Sequence, residues 1–370
     1  MKVLLLCGLL LLAPAEVGPA PTVPPTQTEE LLDAVDLSAW DVFFSRLEGT
    51  EEWQRPSARM RQIAAGEADP AQLIAWLRSR GLGGLPGAAA LCFAALVTGV
   101  LGALLETLLD GGALSVRRVL AIGLAALLLA RLLPLVQRGL SCLRGVLTLA
   151  DGTVPLMTGA LLLLGSPQGA SAMGTLGELL LQTCLRWMES GMVPLTLSAG
   201  VLQAADLMGD GVLTAVSRLL FSLVRWGMRI VCLGYSVVAA LMGAGAAGID
   251  SLLLRTGRAA AGSIPLVGSL VSDSLGAAAA CLGIVKGALG RTGLLLVTVQ
   301  AVGPAAELLL QGFGLKAVSA VVLPLGQRET GALLYSLGEM LTALGALILA
   351  AGAMLCVTVA GAAGCLGGGL

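Results

Sequence analysis

The chain has 370 residues, of which 56% are hydrophobic and only 12% charged, and its mean hydropathy is +0.91. Soluble domains carry about twice that charge, roughly 25%, so one or two ordinary soluble domains are excluded. A net charge of −1 offers no footprint for nucleic acid, and the absence of histidine removes the usual proton shuttle, the commonest metal ligand and the Ser/His and Cys/His dyads.

The first segment, 1–15, reads as a signal peptide. Lys2 precedes a ten-residue apolar run, and Ala13-Pro14-Ala15 supplies a small-residue cleavage site. An uncleaved anchor is the alternative; either way the next segment starts outside the cytoplasm. That segment, 16–84, changes character. Eleven acids against six arginines fall between Glu16 and Leu82, together with Trp40, Trp53 and Trp76. "PAPTVPPTQT" reads as an extended Pro-rich spacer, and Thr26 and Glu29 have capping-box spacing. "DPAQLIAWLRSRG" is a predicted helix with Asp69 at N-cap, Pro70 at N1 and Gly81 as its stop. So 16–84 is expected to be a small extracytoplasmic helical region. Its core is too small to stand alone, and its acidic, Trp-bearing face suits either binding or simple solvation.

From 85 to 364 the expectation is a multi-span transmembrane domain of about seven or eight helices. Apolar segments lie near 88–109, 119–136, 146–164, 179–202, 230–248, 294–313 and 331–360, each near the ~20 residues that cross a bilayer core of about 30 Å. Backbone polar groups in lipid must bond internally, so these are helices, and no alternating barrel pattern is present. The predicted fold class is therefore all-α: a polytopic helical membrane protein with a small N-terminal extracytoplasmic helical domain. Cys7, Cys92, Cys142, Cys184, Cys232, Cys281, Cys356 and Cys365 form no C-x-x-C pair and read as small apolar residues.

Between 212 and 229, Arg218, Ser222, Arg225 and Arg229 share one helical face. This is either an in-plane basic amphipathic helix or a bundle helix with a wet face. The stretch "AAGSIPLVGSLVSDSLGAAAAC" is apolar but carries Gly262, Pro265, Gly268 and Asp273. It reads as a re-entrant or broken helix that could place Asp273 at a water-filled path, or as an interfacial elbow with Asp273 capping the next helix. In the last segment Gly331, Gly338, Gly345 and Gly352 recur every seven residues. Such a stripe suits close helix packing, within one chain or between chains.

Charges inside apolar runs are Glu106, Arg131, Asp151, Arg186, Glu189, Asp273, Glu307 and Glu339. Each costs at least about 2.5 kcal/mol at mid-bilayer and should face a cavity, a partner or the interface. Arg186 and Glu189 can pair along one helix, and Pro304 marks a place where the helix before Glu307 could break. No P-loop, G-x-S-x-G, H-E-x-x-H or EF-hand is present, so no enzyme, cofactor or metal is expected.

"GSIPLVGSLVSDS", followed by "GIVKGALGRTGLLL" and "VVLPLG" before a final apolar span, resembles the stage III sporulation protein AE family of endospore-forming bacteria. The matching positions are Gly262, Ile264, Pro265, Leu266, Val267, Gly268, Ser272 and Asp273, then Pro324, Leu325 and Gly326, with Pro155 in an earlier span. The similarity is strongest from about 250 to 360. It implies a core membrane subunit of a channel or secretion-like complex linking mother cell and forespore, needed for late forespore development. It also implies residence as a multi-pass protein in the mother-cell (outer forespore) membrane. Implied partners are other stage III A operon proteins, including the AA ATPase, forespore protein Q indirectly, a YidC/Oxa-type insertase and the lipid bilayer, with no nucleic acid. A free-standing secondary transporter or permease is the alternative reading.

Cysteines placed at Ser269, Ser272 and Ser274 separate the two readings of the broken stretch. Labelling from water at bilayer depth is expected for a re-entrant segment, and labelling only at the bilayer surface for an elbow.

Overall fold

In the computed structural model the described residues are 85–108, 114–163, 177–206, 212–262, 297–298, 300–325 and 328–367, and every one of them is helical. The expected signal and the acidic region up to residue 84 lie outside them, as do Pro265, Gly268 and Asp273. Seven helices are described. They are α1 (Leu85–Leu108), α2 (Leu114–Leu163), α3 (Glu178–Trp187), α4 (Val193–Ala205), α5 (Val212–Gly262), α6 (Gln300–Leu325) and α7 (Arg328–Gly367).

Two of them, α6 and α7 (its Thr330–Val359 portion), are long and apolar enough to cross a membrane, and a shorter apolar helix spans Ala89–Leu101. Seven separate spans are thus not what the described residues show. The segments expected at 119–136 and 146–164 run together in α2, which has 50 residues and contains Pro134 and Pro155. At about 1.5 Å per residue, α2 is about 75 Å long, more than twice a bilayer core. The join lacks turn chemistry: Gly139, Cys142 and Leu143 are buried, so this piece packs against neighbours instead of looping through water. Threonine hydroxyls bond back along the helix, Thr148 to Arg144 O at 2.6 Å and Thr153 to Leu149 O at 2.6 Å. Likewise the amphipathic piece 212–229 and the apolar piece 230–248 are one 51-residue helix, α5.

A five-residue π turn, Met188–Met192, joins α3 to α4. Pro194 follows at once, in the first turn of α4. Proline lacks an N–H and its ring crowds the carbonyl four residues back; a widened turn relieves both problems. Asp206 then closes the α4–α5 corner. Its carboxylate accepts from the backbone N–H groups of Leu213 and Thr214, both at 3.1 Å, and from the Thr214 hydroxyl. These are first-turn donors of α5 that have no partner within that helix.

Helix α7 is the centre of the bundle. It packs on α2, α3, α4 and α5, and buries Leu333, Leu334, Leu337, Leu341, Leu347 and Leu355 almost completely. Against α6 it comes closer still, through the glycines spaced by seven. A Cβ at Gly338 would stand 2.7 Å from Gly312 O, and one at Gly352 would stand 2.6 Å from the Ala301 Cβ. At Gly345 the nearest atoms are Leu309 Cγ at 3.0 Å and Ala305 O at 3.2 Å, and at Gly331 the Leu323 Cγ at 2.7 Å. Numbering on α6 falls as it rises on α7, so the two are antiparallel. The Ser319 hydroxyl donates to Gly331 O at 2.7 Å and closes the α6–α7 end.

Large apolar side chains also face outward, including Phe93, Leu133 and Leu179. On α5 the exposed large apolar residues are Val216, Leu219, Leu223, Trp226, Ile230, Leu233 and Val237, at alternating spacings of three and four. The opposite side of α5 is buried through Ser217, Phe221, Val224 and Tyr235. The Tyr235 hydroxyl bonds the Thr358 hydroxyl of α7, whose own proton goes to Met354 O at 2.9 Å.

Gly338→Ala and Gly352→Ala should each destabilise the full chain in nanodiscs by about 1–3 kcal/mol, because the atoms met are backbone or backbone-fixed. Gly234→Ala, whose Cβ would meet nothing within 4 Å, should be neutral or stabilising by up to about 1 kcal/mol. Thermal unfolding measures both.

Candidate functional site: an ion cluster shared by three helices

The outward-facing leucines leave little that is chemical, so the charges inside the bundle stand out. Glu339 of α7 is the hub. Its Oε1 lies 3.3 Å from Arg225 Nη1 of α5, and its Oε2 lies 3.5 Å from Lys316 Nζ of α6. The Glu339 side chain is 15% exposed, that of Lys316 23% and that of Arg225 57%. Lys316 also donates to the Thr342 hydroxyl at 3.0 Å and lies over the rings of Phe313 and Tyr335, 5.9 and 5.6 Å from their centroids. The Thr342 proton is directed to Gly338 O and Glu339 O at 3.0 and 2.9 Å, which leaves its oxygen lone pairs facing the ammonium.

The cluster depends on the glycine contact. A Cβ at Gly338 would lie 2.9 Å from Lys316 Cγ and 3.3 Å from Lys316 N. The lysine stem therefore crosses α7 where α7 has no side chain. Charges in a low-dielectric bundle are costly unless paired and hydrogen-bonded; here one carboxylate answers two cations, and the hydroxyl and the two rings take up the remainder. The arrangement ties α5, α6 and α7 electrostatically. It presents no nucleophile with a base.

Two further pairs lie at the bundle's flank. Arg144 of α2 holds Glu189 at 3.1 Å, and Arg138 of α2 lies 3.8 Å from Glu307. Glu189 therefore pairs across helices and not with Arg186 along its own, because it sits in the π turn, which takes it out of the regular three-residue alignment. Nor does the helix break before Glu307, since α6 runs through Pro304 without interruption. Among the described residues, no group of three or more His, Cys, Asp or Glu could hold a metal ion. Cys92, Cys142, Cys184, Cys232 and Cys356 are free thiols.

Of the residues singled out in the sequence, Gly331, Gly338, Gly345 and Gly352 lie on the α7 face toward α6. Gly262 is the last residue of α5, and Pro265, Gly268 and Asp273 lie outside the described residues. Lys316 lies three residues beyond the apolar run 294–313 and is not among the charges that stand out in the sequence. The helix continues to Leu325, and the mostly apolar letters from 317 to 323, with Ser319 alone among them polar, are the available signal.

These features define a class: an all-α protein built on membrane-length apolar helices that meet at an internal ion cluster. Residues 85–365, about three-quarters of the chain, match the family model described as stage III sporulation protein AE, and the chain belongs to that family. No curated protein and no solved structure matches the chain.

If the three charges act as a unit, Glu339→Gln should cost about 2 kcal/mol, less than the ~3–5 kcal/mol of a fully buried pair because the site is partly open. Lys316→Met combined with Glu339→Gln should cost less than the two single changes together. A double-mutant cycle from thermal unfolding of the nanodisc-embedded chain measures the coupling, and strict additivity would dissolve the unit.

Proposed function

We propose that this chain is a membrane core subunit of the stage III sporulation assembly, a channel or secretion-like complex linking mother cell and forespore that late forespore development requires. The observation that carries this reading is the family match over 85–365. Helices α6 and α7, long and apolar enough to cross a membrane, and the large apolar side chains that α1, α2 and α5 turn outward support a place in lipid. The reading puts the chain in the mother-cell (outer forespore) membrane as a multi-pass protein, inserted with the help of a YidC/Oxa-type insertase. Its partners are the other stage III A operon products. The AA ATPase supplies energy, and forespore protein Q is met indirectly across the intermembrane space.

In this role the bundle is a rigid scaffold. Its ion cluster and glycine contact fix the relative positions of α5, α6 and α7, and its outer faces meet lipid and other subunits. Turnover belongs to the partners.

Deletion and complementation in the native spore former test this directly. Loss of the chain should leave engulfed forespores without late forespore gene expression, and a copy expressed only in the mother cell should restore it. Full restoration by a copy confined to the forespore, or normal spores without the chain, would overturn the reading.

A further inference from the structure

We propose that the exposed seam of α5, Val216 to Val237, is the docking face for a helix of another protein, and that this helix carries carboxylates along one flank.

The pattern of exposure is the first ground. On α5 the large apolar residues that are exposed fall at alternating intervals of three and four over the whole stretch, and they are 47–68% exposed. This is a strict two-per-heptad seam, narrower than the broad apolar sector that a helix turns toward a core. A contiguous apolar row of this length left in water is rare for a finished surface.

The second ground is what flanks the seam. Arg218, Arg225 and Arg229 lie along one side of it, and all three are exposed. Among the described residues the ion pair in this row is Arg225 with Glu339, and Glu339 is already shared with Lys316. The row therefore holds positive charge in excess of its internal partner. On the other side lie Gly227, which Met192 of this chain already covers, and Gly234, where a Cβ would meet no atom within 4 Å. A small residue with open space beside an apolar seam lets a second helix backbone come close there.

Together these choose the occupant. Lipid hydrocarbon covering the seam along a span would immerse Arg229, one turn from the paired Arg225 near the middle of the stretch, and a cation at that depth is costly without a partner. A helix lying flat in the headgroup layer carries cations around its polar face, whereas here they occupy one flank. A second copy in parallel would set arginines opposite glycines and leave the charge unanswered; an antiparallel copy would set arginines against arginines. A partner helix with an apolar seam and acidic residues on its flank satisfies the row of charges and can approach closely at Gly234.

The test uses the full chain, expressed at its native level in its own host, with a photo-reactive residue placed singly at each position from 215 to 238. The expected result is one protein adduct, recurring at Leu219, Leu223, Trp226, Ile230 and Leu233 and absent at the intervening exposed positions Arg218, Ser222 and Arg229. The double change R218E/R229E should reduce that adduct at least tenfold, while R218K/R229K, which keeps the charge and tests that the fold is intact, should preserve it. Adducts with lipid only, adducts of the chain with itself or within itself, or a protein adduct indifferent to R218E/R229E would each overturn the proposal. The readout does not depend on sporulation, so it can fail while the proposed role stands, and the reverse.

Discussion

The contact between α6 and α7 is so close that backbone, not side chain, sets the distance. A carbonyl of α6 occupies the space where any residue larger than glycine at 338 would put its first carbon. In a lipid-like setting there is little hydrophobic gain in joining two apolar helices. What holds them is the sum of many short-range contacts, and these fall away steeply with separation. Omitting side chains along one line of α7 makes that sum large. The rest of the bundle, with α7 at its centre, is assembled around the pair.

The ion cluster follows from this geometry. An ammonium on a four-carbon stem can reach Glu339 from α6 because its stem passes over Gly338. Bulk at that point would displace the stem and leave the carboxylate to Arg225 alone. Packing and electrostatics are coupled at a single residue, and the hydroxyl of Thr342, one turn further on, is the third support. The paired charges also give α5 a fixed rotation about its own axis. With Ser217, Phe221 and Tyr235 turned inward, the seam from Val216 to Val237 must face out.

How much of this was legible in the sequence differs by level. Helical class was legible, because runs of about twenty apolar residues with no two-residue alternation leave no other structure in lipid. Helix ends were not. Pro134, Arg138 and Arg144 look like the edges of a loop, yet Gly139 and Cys142 are buried and α2 continues through them. Charge and proline are local signals, and burial against a neighbour overrides them. The seven-residue spacing of the α7 glycines is plain in the letters, but nothing there names α6 as the surface they meet. The cluster was the least legible part. Glu339 and Arg225 each stand out, on helices far apart in sequence, whereas Lys316 lies beyond the apolar run that closes at 313. Long-range pairing of this kind has no local signature.

The spacing of the α7 glycines has one more consequence. An α-helix turns once in 3.6 residues, so positions seven apart drift by about 20° around the axis each time. The stripe from Gly331 to Gly352 keeps touching α6 over three such intervals. A seven-residue repeat favours a left-handed winding of the two helices, which would keep the stripe in register. In a pair wound this way, α6 would slide along α7 only by also rolling, at about one part in eighteen of a full revolution per heptad.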